Sequence, residues 1–300
     1  MQQWLDRIEQ FLGIPKDRIG VIGGGQKARF VGAKVTVATV QTLYKLADQV
    51  APHIGFLVVD EAHRTPSRTF SEAVSAFDSR YMLGLSATPW RRDKLSRLIY
   101  WYLGDMAHQV DKEALEDSGD VLKAEVIWRE TCFSTTLDPS EQYSKMLSEL
   151  TQDRERNAMI ASDVAGQAQN GGGACLVLSD RKNHCEAIQA SLCRDFGVDA
   201  EILTGDVSAK DRQTIVGRLN TGQVKVVCAT GQLIGEGFDA KALQTLFLVT
   251  PIKFSGRLIQ YLGRVLRPAP AKDRATVFDY VDPVGVLKAS AKARRRVYER

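Results

Sequence analysis

Asp60 and Glu61 close an apolar run, Phe56 to Val59, and are followed by Ala62 and His63. An apolar strand ending in adjacent acids puts them at the C-terminal edge of a parallel sheet, where α/β folds bind ligands. There one acid can hold Mg²⁺ through its water shell, and the next can orient or deprotonate an attacking water. A second strand-like run, Leu83 to Pro89, ends in the hydroxyls of Ser86 and Thr88. It follows the acids by about twenty-five residues, room for one crossover helix and the next strand. Further on, a strand from Val226 leads into Gly231, Gly235 and Gly237 and then Asp239. Those glycines allow close backbone approach to a ligand, but they do not spell the dinucleotide G-x-G-x-x-G. Gln260, Arg264 and Arg267 recur at spacings of four and three, so they can share one helical face. Two guanidiniums on one face can fork onto phosphate oxygens and stabilise charge at a transferring phosphoryl group. Each feature alone has a plainer reading: a solvated acidic turn, a strand end, a surface loop, a solvated basic face.

The elements that would position these residues are legible as apolar runs. Residues 18–24, 34–39, 56–63 and 81–88 read as strands in the first third, and 174–180, 200–205, 224–230, 245–251 and 275–281 in the last half. Nearly continuous apolar runs are the pattern of strands buried on both faces of a parallel sheet. Helices are expected between them, at Arg181–Phe196, Ala209–Asn220 and Ser255–Leu266, with one long helical stretch from about Pro139 to Gln169. Residues 2–12 read as an amphipathic helix with Trp4, Ile8 and Phe11 on one face. The chain divides into a first domain at 1–110, a linker at 111–135 and a second domain at 136–300 that ends in a basic tail.

Composition narrows the class. The 300 residues are 44% hydrophobic and 25% charged, an ordinary globular balance, with a net charge of +4 that permits an anionic partner without demanding one. No apolar run reaches membrane-spanning length, and the N-terminus lacks the features of a secretory signal. The cysteines, Cys132, Cys175, Cys185, Cys193 and Cys228, are odd in number and form no C-x-x-C pair. They read as thiols of a reducing, cytoplasmic compartment, with Cys175 and Cys228 buried.

In order and spacing these segments resemble the superfamily 2 helicases and translocases of the DEAH-box type. The matching stretches are "DEAH" (Asp60–His63), "SAT" (Ser86–Thr88), "ATGQLIGEGFD" (Ala229–Asp239) and "QYLGRVLR" (Gln260–Arg267). Softer matches are "VATVQTL" (Val37–Leu43), "LVLSDRKNHC" (Leu176–Cys185) and "LTGD" (Leu203–Asp206). The "SATPWRR" continuation is similar to the branch with RadD-like, UvsW-like, XPB-like and restriction-subunit helicases. The resemblance implies an α/β fold of two RecA-like parallel-sheet domains, the first N-terminally incomplete. It implies an ATP-dependent DNA helicase or translocase that uses ATP and Mg²⁺. Asp60 would hold Mg²⁺ through water and Glu61 would activate the attacking water. His63, Ser86 and Thr88 would couple the nucleotide site to the second domain, and Gly237 and Asp239 would join Gln260, Arg264 and Arg267 at the cleft. Gln260, Arg264 and Arg267 would face the phosphates, with Arg267 the arginine finger. Thr39, Ser179, Thr204 and Thr230 would contact the nucleic-acid backbone, which carries no base information, so binding would be sequence-independent.

The stretch Ile19–Phe30, with glycines at 23, 24 and 25, looks at first like a phosphate-binding loop. A Walker A loop reads G-x-x-x-x-G-K-[ST], whereas Lys27 here follows Gln26 and is followed by Ala28. No match occurs anywhere in the sequence. The glycine run therefore reads as a surface turn after a strand. The resemblance places the Walker A segment upstream of the residues present, so this chain alone is expected to show little or no ATPase activity. Three explanations stay open: part of a complete helicase, half of a split helicase whose polypeptide partner supplies the loop, or a non-catalytic pseudo-helicase that binds nucleic acid.

Overall fold

The structure is a computed structural model. It describes residues 1–299 except 65–66, 88–95, 171–172, 232–237, 239, 253–254, 270–271 and 273. The chain forms two compact units, Met1–Val110 and Asp111–Arg300.

The first unit opens with helix α1 (Gln2–Leu12), which ends at Gly13 in the left-handed conformation that glycine adopts without strain. Its buried residues are Leu5 and Ile8, which pack with Ile19 and Val21. Trp4 and Phe11 are exposed. Of the expected face Ile8 is buried, and it is Leu5 rather than Trp4 or Phe11 that is buried beside it. Strand β1 (Gly20–Gly23) lies between antiparallel β2 (Gln26–Arg29) and parallel β3 (Thr36–Ala38). The glycine run is the β1–β2 turn: Gly23, Gly24 and Gly25 all take positive φ, and a Cβ on Gly23 would stand 2.2 Å from Thr39 Oγ1. Short helices α2 (Val40–Leu43) and α3 (Ala47–Val50) follow. Strands β4 (Phe56–Val59) and β5 (Tyr81–Gly84) form a separate two-stranded parallel sheet. Helix α4 (Arg68–Ser75) connects them and α5 (Ser96–Leu103) follows. Val59, Phe70, Val74 and Ile99 form the core under this sheet, while Phe56, Val58, Tyr81 and Leu83 on its other face are exposed.

The second unit is one six-stranded parallel sheet in the order β6-β11-β10-β7-β9-β8. After α6 (Lys112–Asp117) comes edge strand β6 (Ala124–Glu130), which pairs with the late strand β11 (Ala275–Val281) from Ala124↔Ala275 to Glu130↔Val281. Residues 124–130 of the stretch 111–135, expected as a linker, are therefore part of the sheet. Their alternating apolar residues complete the sheet edge against β11. The long helix expected up to Gln169 is two helices, α7 (Tyr143–Gln152) and α8 (Arg154–Asn170). They break at Asp153, whose Oδ1 accepts from the Arg156 amide at 2.8 Å and caps the second helix.

Strands β7 (Ala174–Ser179), β8 (Ala200–Leu203), β9 (Val226–Thr230) and β10 (Leu243–Leu248) alternate with helices α9 (Lys182–Phe196), α10 (Ala209–Asn220) and α11 (Ser255–Val265). Helix α12 (Gly285–Tyr298) follows β11. Along β7, Leu176 and Leu178 face one core while Cys175 and Val177 face the other, the period-two burial of a strand covered on both sides. No disulfide forms, and Cys175, Cys185 and Cys228 are buried thiols. Burial pushes Cys175 and Cys185 up to about 12, out of reach of thiolate chemistry. Among the described residues no helix is long and apolar enough to cross a membrane.

Candidate functional site

In the first unit the parallel pairing of β4 and β5 brings two strand ends side by side. The Leu85 amide donates to Val59 O at 2.8 Å and the Ala62 amide donates to Leu85 O at 2.9 Å. These bonds fold the acidic turn over the end of β5. Gly84 admits the fold: a Cβ there would lie 2.8 Å from Leu103 Cδ1 and 3.2 Å from Ala62 Cβ. Glu61 sits at φ 54, the one non-glycine residue with positive φ among those described. Such a conformation costs about 1–2 kcal/mol and persists where the surroundings enforce it. Its amide donates to Asp60 Oδ1 at 2.8 Å. His63 Nδ1 lies 3.2 Å from Glu61 Oε2 and 3.1 Å from Ser86 Oγ. Asp60, Glu61, His63 and Ser86 are thus brought into one cluster, as their spacing predicts.

No group of three or more metal-ligating side chains exists among the described residues. Asp60 is exposed and offers hard carboxylate oxygens. That donor set suits a cation that keeps most of its water and takes further oxygens from a phosphate, as Mg²⁺ does.

In the second unit the carboxyl ends of β7, β9 and β10 converge, at the point where the order of crossovers reverses around β7. The Asp180 amide donates to Thr250 Oγ1 at 2.8 Å, and Tyr261 on α11 donates its hydroxyl to Gly231 O at 3.1 Å. A Cβ on Gly231 would stand 2.3 Å from that hydroxyl, so any larger residue there would have to displace Tyr261. Gln260 and Arg264 lie on α11, and Arg267 lies just beyond its end. Lys272 Nζ holds that end, donating to Arg267 O at 2.8 Å and also to Val265 O. Burial pulls the Lys272 ammonium down to about 8.

The expected backbone-contacting hydroxyls divide. Thr39 and Thr230 are half-buried, but Ser179 and Thr204 are buried. Ser179 Oγ accepts from the Arg181 amide at 3.1 Å and lies 3.0 Å from His184 Nδ1. His184 Nε2 lies 2.9 Å from Asn157 Oδ1, while Asn157 Nδ2 donates to Thr151 O at 2.9 Å. The amide orientation makes Asn157 Oδ1 an acceptor, so the proton sits on Nε2 and Ser179 donates to a bare Nδ1. Burial, with Arg156 nearby, pulls His184 down to about 3, so the ring is neutral. The Ser179 hydroxyl is therefore spent on the fold. Thr88, Gly237 and Asp239 lie outside the described residues.

Beside this turn is a groove of about 830 Å³, lined by Arg154, Arg181, Lys182, Asn183, Ser191 and Arg194 among others. Lys182 pairs with Asp206, and Arg194 with Asp195, whose carboxyl is held at about 2 by Arg194 and Ser191. Arg181 Nη2 donates to Ser144 Oγ at 3.0 Å, whereas its buried Nε has no hydrogen-bond partner among the described residues. The groove was not anticipated from the sequence. The only signal was the Arg181-Lys182 pair opening α9, close enough to Ser179 to be overlooked beside it.

Residues 1–91 match the family described as type III restriction enzyme, res subunit, and residues 156–269 match the helicase conserved C-terminal domain. The chain is 24% identical to the ATP-dependent DNA helicase uvsW of enterobacteria phage T4, over 88% of this chain and 53% of that protein. It is 33% identical, over 38% of this chain and 24% of the relative, to the DNA 3'-5' translocase XPB2 of Sulfurisphaera tokodaii. Among solved structures, Saccharomyces cerevisiae Dbp5 bound to RNA and ADP BeF3 matches with a TM-score of 0.68 at 14% identity, over 99% of this chain and 72% of that one. That likeness concerns the fold. The chain spans about half the length of the curated relatives it matches.

Proposed function

The chain belongs to the superfamily 2 helicases and translocases, and from that premise we propose that it works in an ATP-dependent motor on DNA. The observation that carries the reading is the acidic turn. Glu61 is held at φ 54 with its carboxylate against His63, and His63 also meets Ser86 at the end of the next strand. Strain stored in a residue that the core does not need is a mark of a working site.

In this reading water attacks the γ-phosphorus of ATP, Glu61 takes the water proton, and ADP leaves with the electrons of the broken bond. Asp60 would hold Mg²⁺ through its water shell, and the bound ion would supply neutralisation of phosphate charge. By resemblance alone, Arg264 and Arg267 would stabilise charge on a transferring phosphoryl group, with Gln260 beside them on the same helix. Thr88, Gly237 and Asp239 keep their roles on resemblance alone. The sequence contains no G-x-x-x-x-G-K-[ST] element. We assign phosphate gripping to another stretch of polypeptide, and turnover by these 300 residues alone stays near background. That missing element also favours a second reading, a non-catalytic nucleic-acid-binding protein. The nucleic-acid backbone is met by Thr39, Thr230 and the cations of the groove beside Arg181.

The test is DNA binding and ATP hydrolysis by the purified chain, beside a Glu61→Gln variant. DNA binding that ignores sequence, with turnover at background in both proteins, is expected. DNA-stimulated turnover lost in Glu61→Gln would overturn the assignment of phosphate gripping elsewhere. Failure to bind DNA would overturn the motor itself.

A further inference from the structure

Helix α12 has two faces that differ in kind. Leu287, Ala291 and Arg294 are buried. The Arg294 guanidinium donates from Nε to Asp279 Oδ2 at 2.8 Å, and the Tyr298 hydroxyl donates to the same oxygen at 2.8 Å. Asp279 is fully buried, so this contact fixes the helix to β11. The outer face carries Lys288, Lys292, Arg295 and Arg296, all exposed. Among the described residues none of these cations is paired with a carboxylate, and Glu299 is the single acid of the exposed face. Arg295 stands over the ring of Trp128, on edge strand β6, at 4.7 Å from its centroid.

An ordinary solvated face mixes both signs and pairs them. This one is of one sign, and between its cations stand the small exposed side chains Ala289 and Ala293. Small neighbours leave a broad, flat approach. From Lys288 to Arg296 the helix rises about 12 Å, a span that matches three to four phosphates of one strand. The helix is anchored by a buried ion pair, so the backbone that carries these cations is fixed before any ligand arrives.

We propose that the outer face of α12, Lys288, Lys292, Arg295 and Arg296, is a second contact for the phosphate backbone of nucleic acid. It lies outside every motif that suggested function. It rests on the reading of the chain as a nucleic-acid motor. The contact is made to phosphate alone, so it is blind to sequence. It adds affinity and processive grip and takes no part in hydrolysis.

The experiment compares the full chain with a variant carrying Lys288→Gln, Lys292→Gln, Arg295→Gln and Arg296→Gln. Affinity for a labelled single-stranded DNA is measured across salt concentration. The variant is expected to bind about tenfold more weakly at low salt, with a salt slope shallower by about 3, the counterions released by four phosphate contacts. A variant with Lys288→Arg and Lys292→Arg keeps the parent slope, which separates charge from damage to the helix. An unchanged slope in the neutralised variant, with the parent binding normally, overturns this contact and leaves the motor reading intact. No binding by the parent chain overturns the motor reading instead. Loss of binding to phosphatidylserine vesicles with DNA affinity unchanged would reassign the face to a membrane surface and overturn the proposal.

Discussion

His63 Nδ1 stands 3.1 Å from Ser86 Oγ and 3.2 Å from Glu61 Oε2, so one ring nitrogen faces two partners. Protonated, it donates to the Glu61 carboxylate; bare, it accepts from the Ser86 hydroxyl. The position of one proton therefore decides whether Nδ1 donates to Glu61 or accepts from Ser86 at the end of β5. Ser86→Ala removes the competing donor. The imidazole ¹⁵N shifts of His63 are expected to move toward the Nδ1-protonated form, and unit stability to fall by about 1 kcal/mol. Unchanged shifts would mean the hydroxyl does not bias the ring.

The φ of 54 at Glu61 carries its own consequence. Glycine takes that conformation without strain, although it loses more freedom on folding. Glu61→Gly is expected to leave the first unit as stable or up to about 1 kcal/mol more stable by urea denaturation. A loss of stability well beyond that would mean the side chain supports the fold rather than the chemistry.

His184 makes the second unit sensitive to acid. The buried ring is held neutral down to about pH 3, against an ordinary value of 6.5. Below pH 6.5 the unfolded chain therefore binds a proton that the folded chain refuses. Stability from this group is complete above pH 6.5 and is lost progressively as pH falls toward 3, by a few kcal/mol in all. Urea midpoints against pH should show that slope in the parent, and a shallower one in His184→Gln between the same limits. Parallel slopes would place the acid sensitivity elsewhere.

Asp279 and Arg294 form a buried pair, 0% and 5% exposed at the side chain. Breaking one side leaves an uncompensated charge, so Asp279→Ala is expected to cost about 3–5 kcal/mol. The double variant Asp279→Ala with Arg294→Met should cost less than Asp279→Ala alone. A larger loss in the double variant would mean that the pair does not act as a unit.

The parts of the fold that could be read from the residues are those set by burial. Strands β7, β9, β10 and β11 are nearly continuous apolar runs because both faces are covered, and α10 occupies the span its pattern indicates. The break at Asp153 was hidden because it falls in a polar run, Thr151 to Asn157, with no glycine or proline to mark a helix end, while a single carboxylate re-caps the chain. The place of β6 in the second unit's sheet, inside the stretch expected as a linker, was hidden because its partner β11 lies far along the sequence. At the site, the acidic turn followed from adjacent residues and one crossover. The burial of Ser179 did not, because it depends on His184 turning back from the first turn of α9 toward Asn157.

The measurement closest to the central claim is the affinity of the purified chain for single-stranded DNA oligonucleotides of unrelated sequence, titrated with salt. The account predicts equal affinities at each salt concentration and a linear fall of log K with log salt. No binding at low salt, or affinities that differ by orders of magnitude between sequences, would contradict it.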